Sequence, residues 1–202
     1  MKNQVYLYPI WVRLWHLLNA LLFLTLIVTG LSLQYSSNDY SLIRFDWAIS
    51  IHDIAGIALC VAYIFYLFSN RFTSNGTYYQ FHLTGMLVRV LKQLRYYSIG
   101  IFKNEDAPYP ISIDRKFNPL QKISYVIVMY VFMPIIVITG TALFFPEILP
   151  TDLFGISGIH IVDLIHIVTG FALSIFMAVH IYFCTIGKTA LANFKSMING
   201  WH

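Results

Sequence analysis

"HIVTGFALSIFMAVH", residues 166–180, begins and ends on histidine and holds only apolar or small residues between. In an α-helix fourteen residues rise about 21 Å and return the second imidazole to within about 40° of the first. The two histidines therefore share one helix face at two depths. A stretch this apolar belongs in hydrocarbon, where coordinating or ionisable side chains are costly and mark function.

The whole chain has the same character. Of its 202 residues 58% are hydrophobic and 11% charged, against about a quarter charged in a soluble domain. Charge-poor runs from Leu14 to Gln34, Ile54 to Ser69, Ile123 to Phe145 and Leu164 to Gly187 are long enough, or nearly so, to cross about 30 Å of hydrocarbon. They predict an all-α integral membrane four-helix bundle, residues 1–202 as one membrane domain, with spans at about 12–34, 49–69, 120–145 and 162–187. A start near Ile49 places His52 and Asp53 in the first turn of the second span. No small-residue cleavage site follows the first apolar run, so it reads as a retained anchor. Cys60 and Cys184 fall inside spans, with neither a CxxC pair nor a CxxCH motif. That disfavours a disulfide scaffold and covalent c-type haem.

Basic residues orient the bundle, because Lys and Arg flanking membrane helices stay cytoplasmic. Lys2 and Arg13 precede or open the first span, eight Lys and Arg from Arg71 to Lys122 join the second to the third, and Lys188 and Lys195 follow the fourth. Only Arg44 falls on the other side. Both termini and the connection at about 71–119 are expected on the cytoplasmic side of the membrane. The net charge of +4 then reflects topology and the anionic lipid bilayer, not nucleic acid. Within the connection, Met86, Leu87, Val90, Leu91, Leu94 and Tyr97 lie near one helical face and Arg89, Lys92 and Arg95 largely on another. This predicts an interfacial amphipathic helix.

Four of the seven histidines fall in or at the spans. His52 and His166 lie at the outer level, His16 and His180 at the inner. One imidazole from each side of a ring is what a six-coordinate b-type haem requires, so the pairs predict two bis-histidine haems. The competing reading is polar side chains hydrogen-bonded across helices. His160 cannot share the face of His180, lying twenty residues earlier and about 200° round the helix. With His82 and His202 it is assigned to the interface or the tail. No Cys, Asp or Glu cluster completes a tetrahedral zinc set.

Glycines reach the outer level from every helix: Gly30, Gly56, Gly140 and Gly170. "TG" recurs at 29–30, 139–140 and 169–170. Such glycines leave room for a porphyrin, or serve close helix packing. Arg13, one turn before His16, is placed to meet a haem propionate or to anchor the helix at the interface. Asn118, Pro119 and Gln121 match a helix start, with an Asn N-cap, Pro at the first position and Gln at the third.

"RLWHLLNALLFLTLIVTG", "IHDIAGIAL", "KFNPLQKISYVIVMYVFMPIIVITGTAL" and "HIVTGFALSIFMAVHIYFCTIGKTALANFKSMINGW" resemble the membrane cytochrome b subunits grouped with bacterial cytochrome b561, nickel–iron hydrogenase and formate dehydrogenase. The thiosulfate-reductase type is the nearest. The likeness covers nearly the whole chain, including "YPxxxxxKFNPLQK" and "TxGKTxxxxxKxMIxG". It implies a di-haem subunit that anchors a periplasmic iron–sulfur subunit and a catalytic subunit of molybdopterin or hydrogenase type. Electrons then pass between these and menaquinone or ubiquinone. Carried over, the resemblance gives His52 and His166 to the outer haem and His16 and His180 to the inner. It also sets Asn118 and Gln121, with Lys122 beside them, at a quinone site. Pro119 departs from the small residue that the relatives have there. Other classes remain: a stand-alone b561-type oxidoreductase exchanging electrons between quinone and a small reductant or superoxide, or a haem-free anchor.

Overall fold

The computed structural model describes residues 5–37, 40–80, 84–153, 155–187 and 189–202. Lys2, His82 and Lys188, which entered the reading of the sequence, lie outside the described residues. In chain order the helices are α1 (Ile10–Gln34), α2 (Phe45–Phe72), α3 (Met86–Arg95), α4 (Pro119–Phe144), α5 (Gly158–Cys184) and α6 (Ala192–Asn199). Helices α1, α2, α4 and α5 are the membrane spans, and no more than 28% of any span's most apolar window is buried within the protein. The remaining apolar surface needs lipid to cover it, as befits a multi-pass membrane protein.

Two of the spans, α2 and α5, differ from expectation in their bounds. Helix α2 starts at Phe45, upstream of Ile49, because the Asp46 carboxylate sits in the first turn and pairs with Arg44 at 2.6 Å, favouring the helix N-terminus. His52 is therefore two turns inside the helix. Helix α5 runs from Gly158 to Cys184, shifted outward from 162–187. At its start the Gly158 N–H donates to the Pro150 carbonyl at 3.0 Å, and a Cβ at Gly158 would lie 2.5 Å from that oxygen, so only glycine fits. At its end Asn193 Nδ2 donates to the carbonyls of Cys184 and Ile186 at 3.0 and 3.2 Å, satisfying acceptors the helix leaves free.

The spans associate as two hairpins, α1 against α2 and α4 against α5, with slighter contact between the pairs. Trp15 fastens the first hairpin, donating from Nε1 to the Ala62 carbonyl at 2.8 Å and stacking on Tyr66. A buried cluster joins the hairpins: Phe23 from α1, Leu59, Tyr63 and Tyr66 from α2, Val128, Met129 and Met133 from α4, and Leu173 from α5. Helix α4 carries a π-helical turn at Val128–Phe132, where the Met133 N–H bonds to the Val128 carbonyl. Pro134 has no N–H to offer next, so the Met129 carbonyl takes a bond from Tyr63 Oη at 2.7 Å instead. A helix irregularity in hydrocarbon is thereby satisfied from the neighbouring hairpin.

Helix α3 corrects the expected single apolar face. Met86 and Gln93 are buried and Val90 and Tyr97 half-buried, forming a stripe toward the protein, while Leu87, Val88, Leu91 and Leu94 are exposed. The apolar residues divide between a stripe that packs on α4 and one left for lipid. The chain ends meet at the same side of the bundle. Val5 and His202 exchange backbone hydrogen bonds at 3.0 Å, and Leu7 N–H donates to the Gly200 carbonyl. Gly200, at φ +87°, ends α6 in the left-handed region, and a Cβ there would lie 2.5 Å from the Tyr6 ring.

Candidate functional site

The four intramembrane histidines form two pairs. His52 on α2 faces His166 on α5 with ring centres 6.3 Å apart, and His16 on α1 faces His180 on α5 with ring centres 6.2 Å apart. Helix α5 contributes to both because its histidines repeat after nearly four turns. The buried cluster fills the interval: Phe23, Leu59 and Leu173 each come seven residues, two turns, after His16, His52 and His166. Met133 precedes Gly140 by the same step. Two polar levels are thus separated by a layer of apolar side chains.

At the outer level each imidazole is tied to the other helix of its own hairpin. Thr29 Oγ1 lies 2.8 Å from His52 Nδ1, and Thr139 Oγ1 lies 2.9 Å from His166 Nδ1. Each threonine hydroxyl donates to the carbonyl four residues earlier, Thr25 at 2.8 Å and Ile135 at 2.7 Å. The following glycines adjoin the same rings. A Cβ at Gly30 would be 3.4 Å from His52 Cε1, and one at Gly140 would be 3.0 Å from His166 Cε1. The room expected for a porphyrin at these two positions is taken by the edge of an imidazole. Gly56 faces open space, and Gly170 adjoins only Ile136 Cδ1, at 3.8 Å.

The inner level is looser and more aromatic. His180 Nδ1 is 3.5 Å from Tyr125 Oη and its Nε2 is 3.8 Å from Cys184 Sγ, both at the limit of hydrogen bonding. Phe176 stacks on the His180 ring. His16 has no hydrogen-bond partner among the described residues. Arg13 turns away to the chain's end, donating from Nη1 to the Ile198 carbonyl, so it is held by α6.

The capping box before α4 is complete. Asn118 Oδ1 accepts from the Gln121 N–H at 2.9 Å, and Gln121 Oε1 accepts from the Asn118 N–H at 3.1 Å. Asn118 Nδ2 also donates to Tyr97 Oη at 2.9 Å, which ties the cap to the segment following α3. Both ends of the Asn118 amide are engaged, whereas Lys122 lies at a basic cavity of about 330 Å³ with Arg115 and Lys116.

Reasoning from the sequence missed Thr29 and Thr139 as partners of the imidazoles, although the repeated "TG" carried the signal. It also missed Lys116. This side chain is 3% exposed, donates to Asn75 Oδ1 at 2.8 Å, and rests over the rings of Tyr8, Tyr78 and Phe117. Burial lowers its pKa to about 8 and pushes Tyr8 up to about 12. Nothing in the local pattern "DRKF" separates this lysine from its exposed neighbours.

Among the described residues no three His, Cys, Asp or Glu side chains gather as a metal site; the histidines meet two by two. Residues 7–200 match the family described as "Prokaryotic cytochrome b561". The chain is 33% identical over 200 residues to "Putative cytochrome YdhU" of Escherichia coli (strain K12), covering 99% of this chain and 75% of that protein. No solved structure matches. Four membrane helices, paired intramembrane imidazoles and this full-length match agree: the chain belongs to the prokaryotic cytochrome b561 family, membrane proteins that bind b-type haem and transfer electrons.

Proposed function

We propose that the protein is a di-haem electron-transfer subunit of the bacterial inner membrane. It would pass electrons between an iron–sulfur or catalytic partner at the outer face and quinone near the inner face. His52 and His166 hold one haem, His16 and His180 the other. The observation carrying this reading is the ring spacing. Paired imidazoles at that spacing have room for one metal ion between them, which each histidine of a pair would hold through a ring nitrogen. The pairs stand at 6.3 and 6.2 Å. Ring planes sharing one axis can take any mutual twist, so the interplanar angles of 72° and 52° fit as well.

When bound, haem supplies one-electron redox chemistry. The chain's own residues would hold the two centres at depths about 21 Å apart along α5 and place apolar side chains between them. Phe23, Leu59, Met133 and Leu173 offer no polar atom that would carry a proton, so charge crosses this layer as electrons. Quinone reduction or quinol oxidation also exchanges protons, which the polar inner connection with Gln121 and Lys122 would supply. Asn118 serves there by fixing the start of α4. Basic residues concentrated on the side of the termini and the α2–α4 connection support a cytoplasmic placement of that side.

Haem stoichiometry on the purified protein tests the reading. Two b-type haems per chain are expected, with His180→Ala losing the inner one and retaining the outer. A haem-free protein, or one that loses both or neither, would overturn the assignment.

A further inference from the structure

The outer level is built twice from one pattern. "LIVTG" (26–30) on α1 is followed on α2 by "IHDIAGIAL" (51–59), and "IVITG" (136–140) on α4 is followed on α5 by "IHIVTGFAL" (165–173). Ile, His, Gly, Ala and Leu coincide at equal places in the two nine-residue stretches. Each hairpin thus consists of a Thr-Gly helix that supplies no outer imidazole and a histidine helix that does. In both, threonine meets Nδ1 at 2.8 or 2.9 Å and glycine leaves space for the ring edge.

Each threonine hydroxyl has one hydrogen and a carbonyl four residues earlier within reach, at 2.8 and 2.7 Å. With the hydrogen given to that carbonyl, the oxygen accepts from the ring, Nδ1 carries the proton and Nε2 keeps its lone pair. That is the tautomer whose free nitrogen is available to a metal. A residue with a Cβ in place of Gly140 would press on Cε1 from 3.0 Å and drive the ring off the hydroxyl. The third pair, Thr169-Gly170, acts as an internal control. It lies on the histidine helix itself, and Thr169 bonds no imidazole among the described residues. The inner level has no counterpart: His180 Nδ1 stands 3.5 Å from Tyr125 Oη.

We propose that Thr29-Gly30 and Thr139-Gly140 are a duplicated imidazole clasp, in which Thr29 and Thr139 are positioning residues that set the tautomer and electron donation of His52 and His166 at the outer haem. This rests on the bis-histidine reading above. An Nδ1–H that donates to oxygen makes the imidazole a stronger electron donor, which favours oxidised iron and lowers the reduction potential. Removing the hydroxyl raises it.

The test is a redox titration of the purified haem-loaded protein, with low-spin EPR of each centre, on Thr29→Val and Thr139→Val. Valine keeps the shape and removes the acceptor. Each change is expected to shift the oxidised-to-reduced equilibrium of the outer haem about tenfold toward the reduced form, about 59 mV for one electron. The EPR signal of that haem alone should move. Thr29→Ser and Thr29→Ala both remove a methyl group, but only serine keeps the bond. Serine should hold the native potential and alanine should not. Potentials and EPR signals unmoved in the valine variants, or serine and alanine behaving alike, would overturn the clasp while leaving the haem assignment standing. Absence of haem from the unmodified protein would overturn both.

Discussion

The two histidine levels have nearly equal ring spacing, 6.3 Å outside and 6.2 Å inside, yet are held by different means. Outside, each imidazole is gripped from the adjacent helix of its own hairpin, through one short hydrogen bond and one absent methyl group. Inside, His180 lies among Phe176, Tyr125 and Cys184 with only long polar contacts. The difference teaches that geometry sufficient for axial ligation does not itself fix the electronic state of the ligand.

The largest expected effect separates the levels outright. His52→Ala or His166→Ala should abolish the outer haem and leave the inner, seen as half the native haem content and one surviving redox transition; equal losses at both levels would deny that they are independent. Next comes Gly140→Ala, whose Cβ would stand 3.0 Å from His166 Cε1, against 3.4 Å for Gly30→Ala at His52. Overpacking costs about 1–3 kcal/mol, so Gly140→Ala should lower outer-haem occupancy more than Gly30→Ala, as measured by haem retention during purification. Equal retention would show that the backbone yields at both glycines.

A smaller effect is expected where the inner level meets its long contact. Tyr125→Phe should shift the inner potential less than Thr139→Val shifts the outer, because a 3.5 Å contact is worth little; the reverse order in a redox titration would show that Tyr125 closes on His180 once the site is complete. At the start of α4, Asn118→Ala should cost about 1 kcal/mol of thermal stability through the lost cap. Asn118→Ser keeps a capping oxygen and should restore most of it. If serine also leaves quinone turnover unchanged, Asn118 acts on quinone only through α4.

Lys116 gives the most gradual readout. Its pKa in the folded protein, about 8, lies below the ordinary lysine value, so between those two pH values the unfolded chain binds a proton that the folded one does not. Stability therefore rises as pH increases from about 8 toward that ordinary value, and the full burial cost is present below about 8. Lys116→Met should melt higher than the native protein at pH 7, and the gap should narrow above pH 8. A gap independent of pH would mean that Asn75 and the three rings fully compensate the charge.

Where the sequence was legible, the property was local or periodic. Span positions, the side on which the basic residues collect, and the depths of the four histidines follow from hydropathy and a 1.5 Å rise per residue. The capping box was legible for the same reason, since its partners are three residues apart. The boundary of α2 was not, because the Arg44–Asp46 pair extends the helix past the apolar run. The lipid-facing half of α3 was not, because a helical wheel does not say which of two apolar stripes a neighbour covers. At the glycines the sequence shows only that side chains are missing; what stands against Gly30 and Gly140, a histidine ring edge in each case, depends on residues 22 and 26 positions away.

By itself the sequence determined a four-span membrane bundle with imidazoles at two depths, because transfer to hydrocarbon and helix periodicity act residue by residue. Only the tertiary structure decided that the Thr29 and Thr139 hydroxyls meet Nδ1 of His52 and His166, that Tyr63 completes the π turn of α4, and that Lys116 is buried among aromatic rings. Each joins groups more than 20 residues apart in the chain, and a hydrogen bond exists only when packing brings donor and acceptor within about 3 Å.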